Sequence, residues 1–266
     1  MTAKNRRKVS VSKLFQSVIH CGLIAAGAVS GRFRMAEIRF YVDLFGGQLL
    51  LGSSKEPVAI QSVQIMRILE GLTADGMAQI EKVKSHTYYR LLPNGYLYLL
   101  ENLVATDHRL PIEDTLFINY FIDSYREVIL KLSGDLTPAQ AKRLEEITQP
   151  GSMIERQLAI LDTIIAKLRH RQQDYLKILT FLSDTKSSRM TFAEKIERLP
   201  LGPSIPQTFN RSLREALLGL PEAIREREVT TGFHKRHQQF YKPYISSLIE
   251  ERRVLAVCIG KEELIE

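Results

Sequence analysis

The chain is predicted to be mostly α-helical: a winged helix-turn-helix, then a helical and dimerising region, then a C-terminal helical extension. Three observations lead there. Apolar residues recur at helical spacing over most of the length, one stretch between residues 78 and 92 switches to alternation, and that stretch follows three helical segments and precedes a fourth. Three helices, a β-hairpin and a helix is the order of a winged helix.

The first helix is expected over residues 12–28, where Leu14, Val18, Cys21, Ile24 and Ala25 recur at three- and four-residue steps. Lys4–Lys13 followed by Leu14–Val29 also has the outline of a signal peptide, but Gln16, Ser17 and His20 interrupt the apolar run. A core-facing helix is the better reading. A second helix is expected over 34–46, from Met35, Ile38, Val42 and Phe45, ended by Gly46-Gly47. Gln48–Glu56, with Gly52, Ser53 and Ser54, reads as a loop, and Pro57 suits the first turn of a third helix reaching about Leu72. Ala78–Val83 and Thr87–Leu92 then read as two strands joined by Lys84-Ser85-His86. Pro93-Asn94-Gly95 opens a helix through Leu97, Leu100, Leu103 and Val104.

The remainder reads as helices. Ile112–Leu132 is one, Thr137-Pro138 starts a short one, and Ser152 with Glu155 has the spacing of a capping box before a long periodic helix, Met153–Leu182. At about 1.5 Å per residue that helix spans about 45 Å, more than a small domain needs, so it is expected to carry a homodimer contact; a hairpin with Ile112–Leu132 is the alternative. Asp184–Met190 reads as a linker, Pro200, Pro203 and Pro206 as an irregular passage, and Arg211–Arg227 and Phe233–Val257 as final helices. The expected division is 1–109 for the winged helix with a basic N-terminal arm, 110–183 for the dimerising region and 184–266 for an extension of unknown role.

Composition narrows function. With 266 residues, 44% of them hydrophobic and 25% charged, fibrous and wholly disordered classes are excluded. Cys21 and Cys258 have no partner spacing, which excludes a disulfide framework and points to the cytoplasm. No segment has the apolar length to cross a membrane. The net charge of +7 is uneven: 14 basic against 8 acidic residues precede residue 110, and none of the acids comes before Glu37. Arg6, Arg7 and Lys8 are therefore candidate phosphate contacts, with a solvated terminus as the plainer reading.

In the third helix Gln61, Ser62, Gln64 and Arg67 are the polar residues interleaved with apolar ones. Gln and Arg pair bidentately with adenine and guanine edges, which makes Gln64 and Arg67 the base-contact candidates. Lys82, Lys84 and His86 flank the wing tip within reach of phosphates, and Tyr88 and Tyr89 are expected to pack. No Gly-rich phosphate loop, GxSxG, HExxH or paired-cysteine motif occurs, so no catalytic residue, cofactor or metal is expected and the protein is read as a non-enzyme. His234 and His237 lie three apart, but two histidines do not make a metal site. Their neighbours Lys235, Arg236, Lys242, Phe240, Tyr241 and Tyr244 suit nucleic acid or an acidic partner better, with a solvated amphipathic helix as the plain reading.

Ser62–Leu72, continued in Thr87–Gly95 with its aromatic, basic, leucine and glycine pattern, resembles the PadR-like winged-helix transcription regulators. Val128–Leu132, Leu136–Ala141 and Met153–Leu168 look like that family's helical dimerisation region. The resemblance covers about residues 12–180. Only Gly71 or Gly76 loosely matches the glycine that ends the recognition segment, Gln48–Glu56 has no counterpart, and the C-terminal part lies outside the pattern. It implies a homodimeric regulator that binds double-stranded DNA, with the C-terminal helices open to a protein partner. The rival expectation is a winged-helix assembly subunit that binds protein in a nucleic-acid-processing complex; an enzyme of phosphodiester chemistry is a third.

Overall fold

The structure, a computed structural model, describes residues 3–49, 60–105, 109–132, 134–183, 189–198 and 237–261. Gly52–Ser54, Pro57, the three prolines between 200 and 206, the segment Arg211–Arg227 and His234–Arg236 lie outside them. The described chain is mostly helical, with one two-stranded antiparallel sheet in a winged-helix-like arrangement. It divides into two compact units, residues 1–157 and 158–266.

In the first unit α1 runs over Ala3–Ser30 and α2 over Met35–Leu49. The apolar face read from Leu14 onward is buried at Val18, Cys21, Ile24 and Ala25. The helix begins well before residue 12, so the basic segment Arg6–Lys8 is helical in backbone. It ends where Gly31 takes φ 67° and its N–H returns to the Gly27 carbonyl, a left-handed terminus that only glycine adopts without strain. The two helices meet closely: a Cβ on Gly22 would sit 2.6 Å from the Val42 Cγ2.

The glycine pair expected to end α2 does not end it. Gly46 and Gly47 are helical, because Phe45 just before them is clamped edge-on between Phe117 and Phe121, at 5.8 and 5.3 Å between ring centres. Tertiary packing outweighs the local cost of glycine, about 1 kcal/mol per residue.

Helix α3 spans Ser62–Ala74, starting after Ile60 and Gln61 rather than at Pro57. Gln61 is extended (φ −80°, ψ 143°), and its N–H donates to the Gln64 Oε1 at 2.9 Å, a cap that fixes the first turn. Ile65, Leu69 and Leu72 form its buried stripe, each contributing roughly 1.5–3 kcal/mol. Arg39 of α2 donates to the Ile60 carbonyl and pairs with Asp43 at 2.9 Å, tying the entry of α3 to α2.

Strands β1 (Ala78–Val83) and β2 (His86–Leu91) pair in register Ala78 to Leu91 and Val83 to His86. The connection is thus Lys84-Ser85 alone, and His86 belongs to the strand. An unforeseen third strand position completes the sheet: Phe33, between α1 and α2, exchanges both backbone hydrogen bonds with Tyr89 at 2.8 and 2.9 Å, its ring stacked at 6.4 Å.

Helix α4 (Pro93–Val104) follows, then α5 (Ile112–Lys131) and α6 (Pro138–Ile147), the last capped by Thr137, whose hydroxyl accepts from the Gln140 N–H. The core does not stop at residue 109, the expected boundary. Ile118, Phe121, Ile122 and Ile129 of α5, Leu144 and Ile147 of α6, and Met153 join the same apolar cluster as α1–α4. Arg156 donates to the Val104 carbonyl, and the buried Gln157 accepts from the Leu110 N–H, so the first turns of α7 (Ser152–Ser183) lock the exit of α4.

The second unit holds the rest of α7, a short α8 (Phe192–Glu197) capped by Thr191 with Glu194, and α9 (Lys242–Cys258), preceded by a π-helical turn, His237–Tyr241. Arg252 of α9 donates to Asp162 of α7 at 2.5 Å. Leu158, Leu161, Ile165 and Ile178 of α7, and Ile245, Leu248 and Leu255 of α9, are buried within the single chain. On the same helix Leu168 is half-buried and Leu176 is 43% exposed.

Candidate nucleic-acid interface

Two elements present the residues singled out in sequence. On α3 the buried stripe turns Gln61, Ser62, Gln64 and Arg67 outward, all of them exposed, along with Glu70 and Gly71; Val63 is 56% exposed among them. A single cation and one carboxylate share this face, so it has the polar donors of a reading surface and little net charge. Gln64 has a second task. Bidentate pairing to adenine needs its carbonyl oxygen as well as its amide, and that oxygen holds the Gln61 N–H. Arg67 carries no such commitment in the described contacts and is the stronger of the two candidates.

The wing distributes its cations by strand alternation. Tyr89 packs toward α3, its hydroxyl 3.7 Å from the Met66 sulfur. Ile80, Lys82 and Thr87 share the Tyr89 face, while Glu81, His86, Tyr88 and Arg90 share the other. Lys82 and His86 therefore leave the hairpin on opposite sides, with Lys84 at the tip between them. Lys84 has φ 54°, the left-handed conformation that costs a non-glycine residue roughly 1 kcal/mol. Lys82, Lys84 and His86 are all exposed. Arg6, Arg7 and Lys8 lie in the first turns of α1.

The outer wing face carries cations that the sequence reading used only as charge. Because Phe33 is pinned to β2, its neighbours Arg32 and Arg34 reach the Tyr88 ring, their guanidinium carbons 5.1 and 6.0 Å from its centre. Arg90 lies exposed on the same face. Arg32 also meets Glu81 at 3.6 Å and Arg34 meets Glu37 at 4.0 Å; both pairs are exposed and contribute little, about 0–1 kcal/mol. The local signal for this group was Gly31-Arg32-Phe33-Arg34, a basic and aromatic alternation after a glycine.

Among the described residues no three His, Cys, Asp or Glu side chains form a group able to hold a metal ion, and no helix is long and apolar enough to cross a membrane. His237, one of the two spaced histidines, lies in the π-helical turn. No protein-family model, curated protein or solved structure matches the chain.

Proposed function

We propose that the first unit binds double-stranded DNA through its winged element, placing α3 in the major groove with the wing on the adjoining backbone, and acts as a transcription regulator. The observation that carries this reading is the division of labour: a near-neutral face of polar donors on α3 beside a hairpin whose tip and flanks hold Lys82, Lys84, His86 and Arg90. Base reading needs fixed donors, and backbone attraction needs cations. Ser62–Leu72 and Thr87–Gly95, through their resemblance to PadR-like regulators, support the same reading.

Arg67→Ala should cost about 1–3 kcal/mol on a preferred duplex and almost nothing on random duplex, which fluorescence anisotropy measures directly. Lys84→Gly should weaken both alike while leaving the hairpin at least as stable, since glycine accepts the tip conformation. The reverse pattern would reject the groove assignment.

A homodimer through α7 would use the side that carries Leu176, 43% exposed, since Leu158, Leu161, Ile165 and Ile178 are buried within one chain. Light scattering checks it: a dimer mass supports the homodimer, and the mass of one chain rejects it. A second reading, an assembly subunit that binds protein, is favoured by Phe40, Leu44 and Tyr120, which are 62, 48 and 71% exposed on α2 and α5.

A further inference from the structure

The outward face of α3 carries an apolar residue beside its polar ones. Ile65, Leu69 and Leu72 bury one side of the helix. At about 100° per residue the opposite side falls on Val63, Arg67 and Glu70, which follow one another at steps of four and three. All three are exposed, Val63 by 56%. Burial in the core does not hold a valine there, and its β-branched side chain is a weaker helix former than alanine.

Val63 is not part of an apolar patch either. Ser62 and Gln64 flank it, Arg67 follows one turn on, and each is exposed. A stable protein interface needs roughly 800 Å² on each side with an apolar centre, which one valine among polar donors does not supply. It suits a ligand that offers one methyl group among polar atoms. The major-groove edge of an A·T pair is such a ligand, because the thymine C5-methyl lies beside the thymine O4 acceptor and the adenine N6 donor. Glu70 points the same way: a carboxylate repels phosphates but accepts from the cytosine amino group, so this stripe suits base edges and not the backbone.

Position agrees with chemistry. Val63 is the second residue of α3, in the first turn, the part of a recognition helix that contacts base edges. Along the helix axis it stands about 6 Å from Arg67, close to two base-pair steps of about 3.4 Å. We infer that Val63 is a specificity-determining residue that packs against a thymine C5-methyl group within about two base pairs of the base met by Arg67. Val63 takes this role with α3 in the major groove, so the inference rests on that reading.

The test uses the full chain and a fluorescein-labelled duplex that it selects from a random-sequence pool. Each thymine is replaced in turn by deoxyuridine, which lacks the C5-methyl group. Anisotropy should show one replacement weakening wild-type binding about fourfold, the factor that burial of one methyl group supplies. Val63→Ala should bind the thymine and uracil forms of that duplex about equally, whereas Arg67→Ala, weaker on both, should keep the fourfold difference. Thermal melting of Val63→Ala should match or exceed wild type, because the side chain is mostly in solvent and alanine is the better helix former. If wild type selects a duplex but no deoxyuridine replacement changes its affinity, or if Val63→Ala keeps the difference, the inference is overturned and groove insertion stands. If wild type binds no duplex at low salt, groove insertion fails and the inference falls with it.

Discussion

Gly95→Ala should destabilise the first unit by about 3 kcal/mol, the upper part of the range for forcing an atom into a filled space. Gly95 lies in the opening turn of α4, and a Cβ there would collide with the Met77 backbone carbonyl. That carbonyl already accepts the Leu92 N–H at 3.0 Å, and the Asn94 amide reaches the Gly76 carbonyl at 3.4 Å. The collision is with backbone held from both sides, so no side chain can swing away. Relief requires α4 to part from the foot of β1, which shifts the wing. Gly71→Ala provides the contrast: nothing lies within 4 Å of a Cβ at that helical position, so alanine should raise stability by about 0.5–1 kcal/mol. Urea midpoints compare the two, and a Gly95→Ala protein as stable as wild type would disprove the close approach.

The second large effect is a change in the sign of pH dependence. His20 is buried on α1 with its Nδ1 unpaired, and burial pushes its pKa from 6.5 down to about 4. Between those values the unfolded chain binds a proton that the folded chain refuses, so stability falls as pH drops through that window. At about pH 5 the loss relative to neutral pH is about 2 kcal/mol. Asp114, buried in the first turn of α5, opposes it. Burial, and then the neighbouring Glu113, raise its carboxyl to about 6, so stability rises as pH falls below 6 and the acid takes its proton inside the fold. By about pH 5 the recovery is about 1 kcal/mol. Wild type is therefore expected to lose about 0.5 kcal/mol on acidification to pH 5, whereas His20→Leu, which removes the larger effect, should gain about 1 kcal/mol. Denaturant titrations at the two pH values decide it; a His20→Leu protein that still loses stability would contradict the assignment.

The same competition between local and distant forces explains what could be read from sequence. The apolar steps of α1 are a local pattern and appear where the spacing puts them, and α3 and β1 form near their expected places, but Val63 of α3 and Ile80 of β1, apolar in the pattern, are 56 and 48% exposed. Long-range pairing has no local signature. Phe33 becomes a strand position only because Tyr89 lies beside it, and Arg32 and Arg34 reach the wing only through that bridge. Gly46-Gly47 looked like a stop because the Phe45 clamp comes from α5, far along the chain. Pro57 looked like a start, but the described helix begins at the Gln61–Gln64 cap. The periodicity of α7 is the same whether its stripe packs within the chain or against a second copy, so length alone does not choose between them.

At the candidate interface, residue types and approximate positions were legible. What was not legible was the conformation that limits Gln64, the strand register that separates Lys82 from His86, and the left-handed tip at Lys84.

Duplex binding by the winged element should show itself in its salt dependence. Each phosphate neutralised contributes about −0.9 to the slope of log affinity against log salt. Wild type is expected to bind duplex at low salt with a steep negative slope, and Lys84→Gly is expected to lower its magnitude by about 1. No duplex binding at low salt, or a slope that Lys84→Gly leaves unchanged, would contradict the account.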